Sequence, residues 1–88
     1  MLEYDKKKLG SYLKQVREAA GLTQYDVSSK LGYTSPQFIS NIERGISVVP
    51  LKALAKMIHM YKVSPDNVVK IILDSQKKLL KQKLSKIR

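Results

Sequence analysis

Two short, heavily punctuated blocks constrain this chain more than any other feature. The first runs Thr23-Gln24-Tyr25-Asp26-Val27-Ser28-Ser29-Lys30-Leu31-Gly32, and the second Ser35-Pro36-Gln37-Phe38-Ile39-Ser40-Asn41-Ile42-Glu43-Arg44-Gly45. Thr23 is a helix N-cap, Asp26 at the third helical position answers the partial positive charge of the helix start, and Gly32 closes the element after barely two turns. Ser35-Pro36 starts a second helix, because proline at the first helical position gives up no hydrogen bond that the helix needs. Val27 and Leu31 mark the inner side of the first helix, Ile39 and Ile42 that of the second. The blocks predict two short helices joined by a tight turn.

The other signals are helical as well. Asp5 caps a helix on which Leu9, Leu13, Val16 and Ala20 recur at three- and four-residue steps, and Gly21 supplies a left-handed stop. Pro50 opens a fourth helix with an apolar stripe of Leu51, Leu54, Ala55 and Ile58, and Met57 beside it. Ser64-Pro65 repeats the cap-plus-proline start for a fifth, followed by Val68, Val69, Ile71, Ile72 and Leu73. With no repeat and little β signal, the expected fold is all-α, a five-helix domain over residues 1–73 followed by a basic amphipathic extension over 74–88.

Bulk properties narrow the function classes. Eighty-eight residues suffice for one small domain. There is no cysteine, so the core relies on apolar burial, without disulfides or thiolate metal sites. Seventeen basic against seven acidic side chains give a net charge of +10, which favours a polyanionic partner. The excess is uneven: residues 76–88 hold six of the basic side chains and no acid, which leaves a net charge of +4 on the first 75. No apolar run approaches the roughly 20 residues needed to cross a bilayer, and the polar start does not look like a secretion signal. A soluble, cytoplasmic protein that does not engage membranes is expected.

The second short helix carries Gln37, Ser40, Asn41 and Arg44 opposite its apolar residues, all side chains able to touch base-pair edges. That is the layout of a helix-turn-helix DNA reader. The run from Leu9 to about Ile72, nearly three quarters of the chain, resembles the lambda-repressor-like Cro/repressor (XRE-type) DNA-binding domain. The pieces that carry the resemblance are Ala20-Gly21-Leu22-Thr23-Gln24, Ile39-Ser40-Asn41-Ile42-Glu43-Arg44-Gly45, and Leu54-Ala55 ahead of Val63-Ser64-Pro65. Their order and spacing make the match specific, where each alone would be weak.

The resemblance implies roles. Gln24 would hydrogen-bond the DNA backbone at the start of the second helix. The third helix would be the recognition helix, placing Pro36, Gln37, Ser40, Asn41 and Arg44 toward the major groove or its phosphate walls. Gln and Asn can pair with adenine, and Arg with guanine, each through two bonds. For Arg44, at the helix end, phosphate contact is favoured over base contact. Arg17 and Glu43 occupy the positions of an internal, structural ion pair. Three departures stand out. One residue more than the common spacing separates Gly32 from Ile39, lengthening the turn and directing Tyr33, Thr34 or Ser35 toward a phosphate. The loop Ile46-Ser47-Val48-Val49 has no charge where relatives carry Lys or Arg, which leaves Ser47 and backbone amides to meet phosphate, and Val48 and Val49 to the core or a dimer contact. Phe38, the only phenylalanine, has two readings, packing under the turn or touching a thymine methyl, with packing favoured.

In the extension, Leu73, Leu80, Leu84 and Ile87 fall at helical spacing with Leu79 alongside, among Lys77, Lys78, Lys81, Lys83, Lys86 and Arg88. Such a segment can pair with a copy of itself, touch phosphates, lie on a membrane or stay solvated. Catalysis is not expected: His59, the sole histidine, is read as a half-buried packing residue, and no catalytic triad, metal cluster or phosphate-binding glycine loop is present. No cofactor or metal is called for. The expectation is a sequence-specific regulator of transcription, a repressor that binds double-stranded DNA at a palindromic operator as a homodimer, in a bacterium or phage. The alternative is a protein-binding module, such as the antitoxin of a toxin–antitoxin pair.

Overall fold

In a computed structural model describing residues 3–86, the helices begin where capping chemistry places them. Asp5 Oδ1 accepts the Lys8 N–H at 3.0 Å and opens α1 (Lys6–Ala19). Thr23 and Asp26 form a reciprocal box at α2 (Gln24–Lys30): the Asp26 N–H donates to Thr23 Oγ1 at 3.0 Å, and the Thr23 N–H to Asp26 Oδ2 at 2.8 Å. Regular hydrogen bonding in α3 spans Gln37–Glu43, one residue later than expected. Pro36 nevertheless has helical dihedrals, φ −74° and ψ −3°, and Ser35 Oγ accepts the Gln37 N–H at 3.3 Å. Extended Pro50 precedes α4 (Leu51–Tyr61), and in α5 (Pro65–Lys86) the serine device recurs, the Asp66 N–H donating to Ser64 Oγ at 3.2 Å. Gly21 and Gly32 take the left-handed conformation expected of helix stops. Among the described residues there are five helices and no strand, the all-α architecture that the sequence predicts.

One core gathers Leu9 and Leu13 of α1, Val27 of α2, Ile39 and Ile42 of α3, Val49 of the following loop, Leu54, Met57 and Tyr61 of α4, and Val68 of α5. Several inward assignments need correction. On α1 the third buried turn belongs to Arg17 (four residues beyond Leu13), whereas Val16 is half-buried and Ala20 exposed. On α4 the buried line is Leu54, Met57 and Tyr61, while Leu51 is 82% exposed and Ala55 also faces out. Leu51 sits on the first turn beyond the reach of neighbouring helices, and the phase of the stripe follows from which face meets α1. On α5, Val68 is buried, Ile71 and Ile72 are half-buried, and Val69 and Leu73 are exposed. Of the two loop valines, Val49 is core and Val48 half-buried.

Helix α3 packs on both α1 and α2, and α1 also meets α4 and α5. The approach of α1 to the end of α3 is close enough to require glycine. A Cβ at Gly10 would collide with the Ile42 carbonyl oxygen and stand 2.7 Å from that of Glu43. Gly45 (φ 74°) lies equally near α1: a Cβ there would stand 2.8 Å from Lys7 Cα.

Helix α5 has 22 residues, about 33 Å of rise, and no break interrupts it at residues 73–74. Its last buried side chain is Ser75. From Lys77 to Lys86 every side chain but that of Leu79 is exposed, and the described residues measure 49 × 24 × 19 Å. Ile87 and Arg88, assigned above to the apolar and basic sides of the extension, lie outside the described residues.

Candidate nucleic-acid interface

Helix α3 is fixed from behind by a buried ion pair. Arg17 projects from the inner face of α1 and Glu43 from the last turn of α3, so the pair ties these helices together. Arg17 Nε donates to Glu43 Oε2 at 2.6 Å and Nη2 to Oε1 at 3.1 Å, a two-pronged contact with both side chains largely withdrawn from water. A third arm, Nη1, donates to the Leu22 carbonyl at 2.7 Å and adds the turn before α2. The hydrogen bonds that Arg17 donates to Glu43 raise its guanidinium above its ordinary value, keeping it charged. Gln24 completes the group, its Nε2 donating to Glu43 Oε1 at 2.9 Å. Gln24 is therefore half-buried with one of its two amide hydrogens already used within the protein. Nearby, burial first and the Glu43 charge second push the Tyr61 hydroxyl above its usual range.

Sequence reasoning paired Arg17 with Glu43 but missed the Leu22 carbonyl and the inward bond of Gln24. A carbonyl acceptor leaves no mark in residue type, and a glutamine on a first helical turn looks the same whether it faces in or out. Tyr4 was also missed; its hydroxyl accepts the Val49 N–H at 3.3 Å and closes the loop behind α3.

On the outer side, α3 brings the expected polar residues together. Gln37 and Arg44 are exposed, and Ser40 and Asn41 are half-buried. Gln37 Nε2 donates to Asn41 Oδ1 at 2.8 Å, and Arg44 Nη2 donates to the same oxygen at 2.9 Å. The three side chains thus form a connected row along one face. The Asn41 carbonyl accepts the N–H groups of Ile46 and Ser47 at 2.9 and 3.3 Å, which fixes the loop against the helix end and holds Ser47 half-buried.

At the other end of α3, Tyr33, Thr34, Ser35 and Pro36 are all exposed in the lengthened turn. The rings of Tyr33 and Phe38 stack, with centroids 4.1 Å apart and planes 13° from parallel. Phe38 is half-buried against the core. This is the packed arrangement, with Tyr33 as the partner that its sequence position did not announce. His59 is exposed on α4, not half-buried as expected, because Tyr61 and Met57 occupy the inner face. Among the described residues, no three His, Asp or Glu side chains gather to hold a metal, and no helix is long and apolar enough to cross a membrane.

Comparison with known proteins agrees with this geometry. Residues 8–69 match the family model described as a helix-turn-helix domain. No curated protein matches the chain. Among solved structures, the clp gene regulator ClgR from C. glutamicum aligns with a TM-score of 0.67 and 25% identity, over 86% of this chain and 96% of that one. A second ClgR structure, from Corynebacterium glutamicum, gives 0.69 over 99% of this chain and 93% of its own, at 23% identity, which speaks to the fold alone. A point mutant of the restriction-modification controller protein C.Esp1396I gives 0.63 at 27% identity, over 92% of this chain and 98% of that one. The chain belongs to the helix-turn-helix domain family, within the lambda-repressor-like Cro/repressor (XRE) type of DNA-binding regulators that its residues resemble.

Proposed function

We propose that the protein is a sequence-specific, double-stranded-DNA-binding regulator of transcription, a repressor that occupies a palindromic operator as a homodimer in the cytoplasm of a bacterium or the host of a phage. The observation that carries this reading is the row Gln37, Asn41 and Arg44 on the open face of α3, a helix fixed from behind by the Arg17–Glu43 pair. Two copies would set their third helices in successive major grooves, roughly 34–36 Å apart. Ser40 and Pro36 flank the base-reading row, and Gln24, Tyr33, Thr34, Ser35 and Ser47 lie around it as phosphate contacts. Residues 74–88 act as a basic extension of the domain. Regulation by ClgR and by the controller protein supports the assignment by likeness.

Affinity for duplex DNA should fall by about 0.9 log units per phosphate contact for each tenfold rise in salt. Asn41→Ala should lose about 1–3 kcal/mol at the cognate site only. Equal weakening on every duplex would move Asn41 to the backbone, and absence of binding at low salt would remove the reading. A second reading, a protein-binding module such as an antitoxin, draws on the exposed Leu73, Leu80 and Leu84 of α5. It predicts a stable complex with a partner protein and no preference among duplexes.

A further inference from the structure

The row on α3 has a direction, and that direction bears on which base it selects. Arginine has donors and no acceptor, so the atom of Asn41 that faces Arg44 must be the carbonyl oxygen. Asn41 Oδ1 then also takes the amide of Gln37, which must present its nitrogen. The chemistry of Arg44 alone thus fixes the orientation of two amides in sequence. Both lone pairs of Asn41 Oδ1 are occupied from within the protein. Its Nδ2 donates to no acceptor within the protein and so keeps both hydrogens, and the Arg44 guanidinium next to it keeps further donors. Gln37 retains a free Oε1 and one Nε2 hydrogen.

These patterns discriminate between purines. Adenine in the major groove offers an acceptor at N7 and a donor at N6, so a side chain reading it by two bonds needs an acceptor of its own. Asn41 has none to spare, while Gln37 has one. Guanine offers two adjacent acceptors, N7 and O6, which suit the donor-only surface of Asn41 and Arg44. We propose, resting on the DNA-reading function above, that Asn41 and Arg44 act together as a guanine reader, with Gln37 reading an adenine on a neighbouring base pair. Arg44 has a positioning role besides its own contact: by occupying the Asn41 oxygen it prevents asparagine from adopting its usual adenine pairing. This departs from the adenine pairing that residue type alone implies for Asn41, and from phosphate contact for Arg44.

The test begins by enriching duplexes from a random pool with the full chain, and takes as the Asn41 position the one whose preference disappears in Asn41→Ala. Guanine is expected there. Inosine, which keeps N7 and O6, should bind as guanine does, whereas 7-deazaguanine, lacking the N7 acceptor, and adenine, with a donor in place of O6, should each weaken binding about tenfold. Arg44→Ala should release one lone pair of Asn41 and lower the guanine-to-adenine preference about tenfold at that position. A simple phosphate contact would instead lower affinity on all duplexes and leave the preference intact. Adenine at the Asn41 position in the wild type, or an unchanged preference in Arg44→Ala, overturns the guanine reader while leaving DNA reading in place. Failure to enrich any sequence removes the DNA-reading function and the guanine reader together.

Discussion

Arg17 occupies the buried face of α1, where the neighbouring turns carry leucine, and it is tolerated there because Glu43, the Leu22 carbonyl and the Gln24 amide complete the polar group around it. Removing one partner leaves the other as an uncompensated buried charge. Arg17→Ala should therefore cost about 3–5 kcal/mol. For a domain of this size that lowers the Tm by well over about 10 °C, measurable by thermal melting. Replacing both members with apolar side chains of similar volume should recover most of the loss, because a matched apolar pair carries no desolvation cost. A wild-type Tm for Arg17→Ala would show that the pair contributes nothing. Pairing of these two residues was legible because each falls on a motif position of the resembled family. Periodicity instead assigned the inner face to Val16 and Ala20, since hydrophobic counting gives no credit to an arginine whose partner lies 26 residues away.

At the scale of elements, α2 is seven residues long and depends on its cap more than a long helix would. The Thr23 N–H, with the Thr23 hydroxyl behind it, holds the Asp26 carboxyl below the usual carboxylate range. Folding favours the ionised form, so the stabilisation is complete above the ordinary value of 3.8 and disappears as pH falls through the lowered folded value. Acid titration followed by amide exchange of α2 should show that element loosening below about pH 4, and Asp26→Asn should flatten this limb of the profile. An identical acid profile in the variant would contradict the role given to the box. Caps such as this one, and the Ser35 and Ser64 starts, are local chemistry, which is why the helix starts could be placed from residue order. The phase of α4 could not, since the stripe of Leu51, Leu54, Ala55 and Ile58 looks as good on paper as the buried line Leu54, Met57 and Tyr61. Only the position of α1 selects between them. The stacking of Tyr33 on Phe38 was hidden for a similar reason, because the lengthened turn that joins the rings has no fixed geometry in sequence.

The whole molecule divides by charge as well as by packing. Residues 76–88 account for +6 of the net +10, and the last buried side chain, Ser75, lies just before them. Within the extension, Lys83 meets Glu3 at 2.7 Å, but both side chains are well exposed and such pairs contribute little. Deleting residues 76–88 should therefore leave a folded domain, with stability changed by no more than about 1 kcal/mol in a denaturant titration. If Leu80 and Leu84 hold two copies together, the same deletion should convert a dimer to a monomer in sedimentation equilibrium. An unfolded product would mean that the exposed half of α5 supports the core in a way its burial does not indicate. The basic total favours a polyanion, yet six of its ten net charges fall in the sequence after Ser75, so net charge suggests a partner class and does not mark the proposed reading surface, which rests on the polar residues of α3.

The central claim is that the open face of α3 reads duplex DNA, and a competition titration tests it most directly. Full-length protein is bound to a duplex enriched from a random pool and challenged with a scrambled duplex of equal length across a range of salt concentrations, alongside Gln37→Ala. The wild type should prefer the enriched duplex by at least about 10³-fold, and Gln37→Ala should give up about 1–3 kcal/mol of that preference while binding the scrambled duplex unchanged. Equal affinity for both duplexes, or a Gln37→Ala loss that is the same on each, would contradict it.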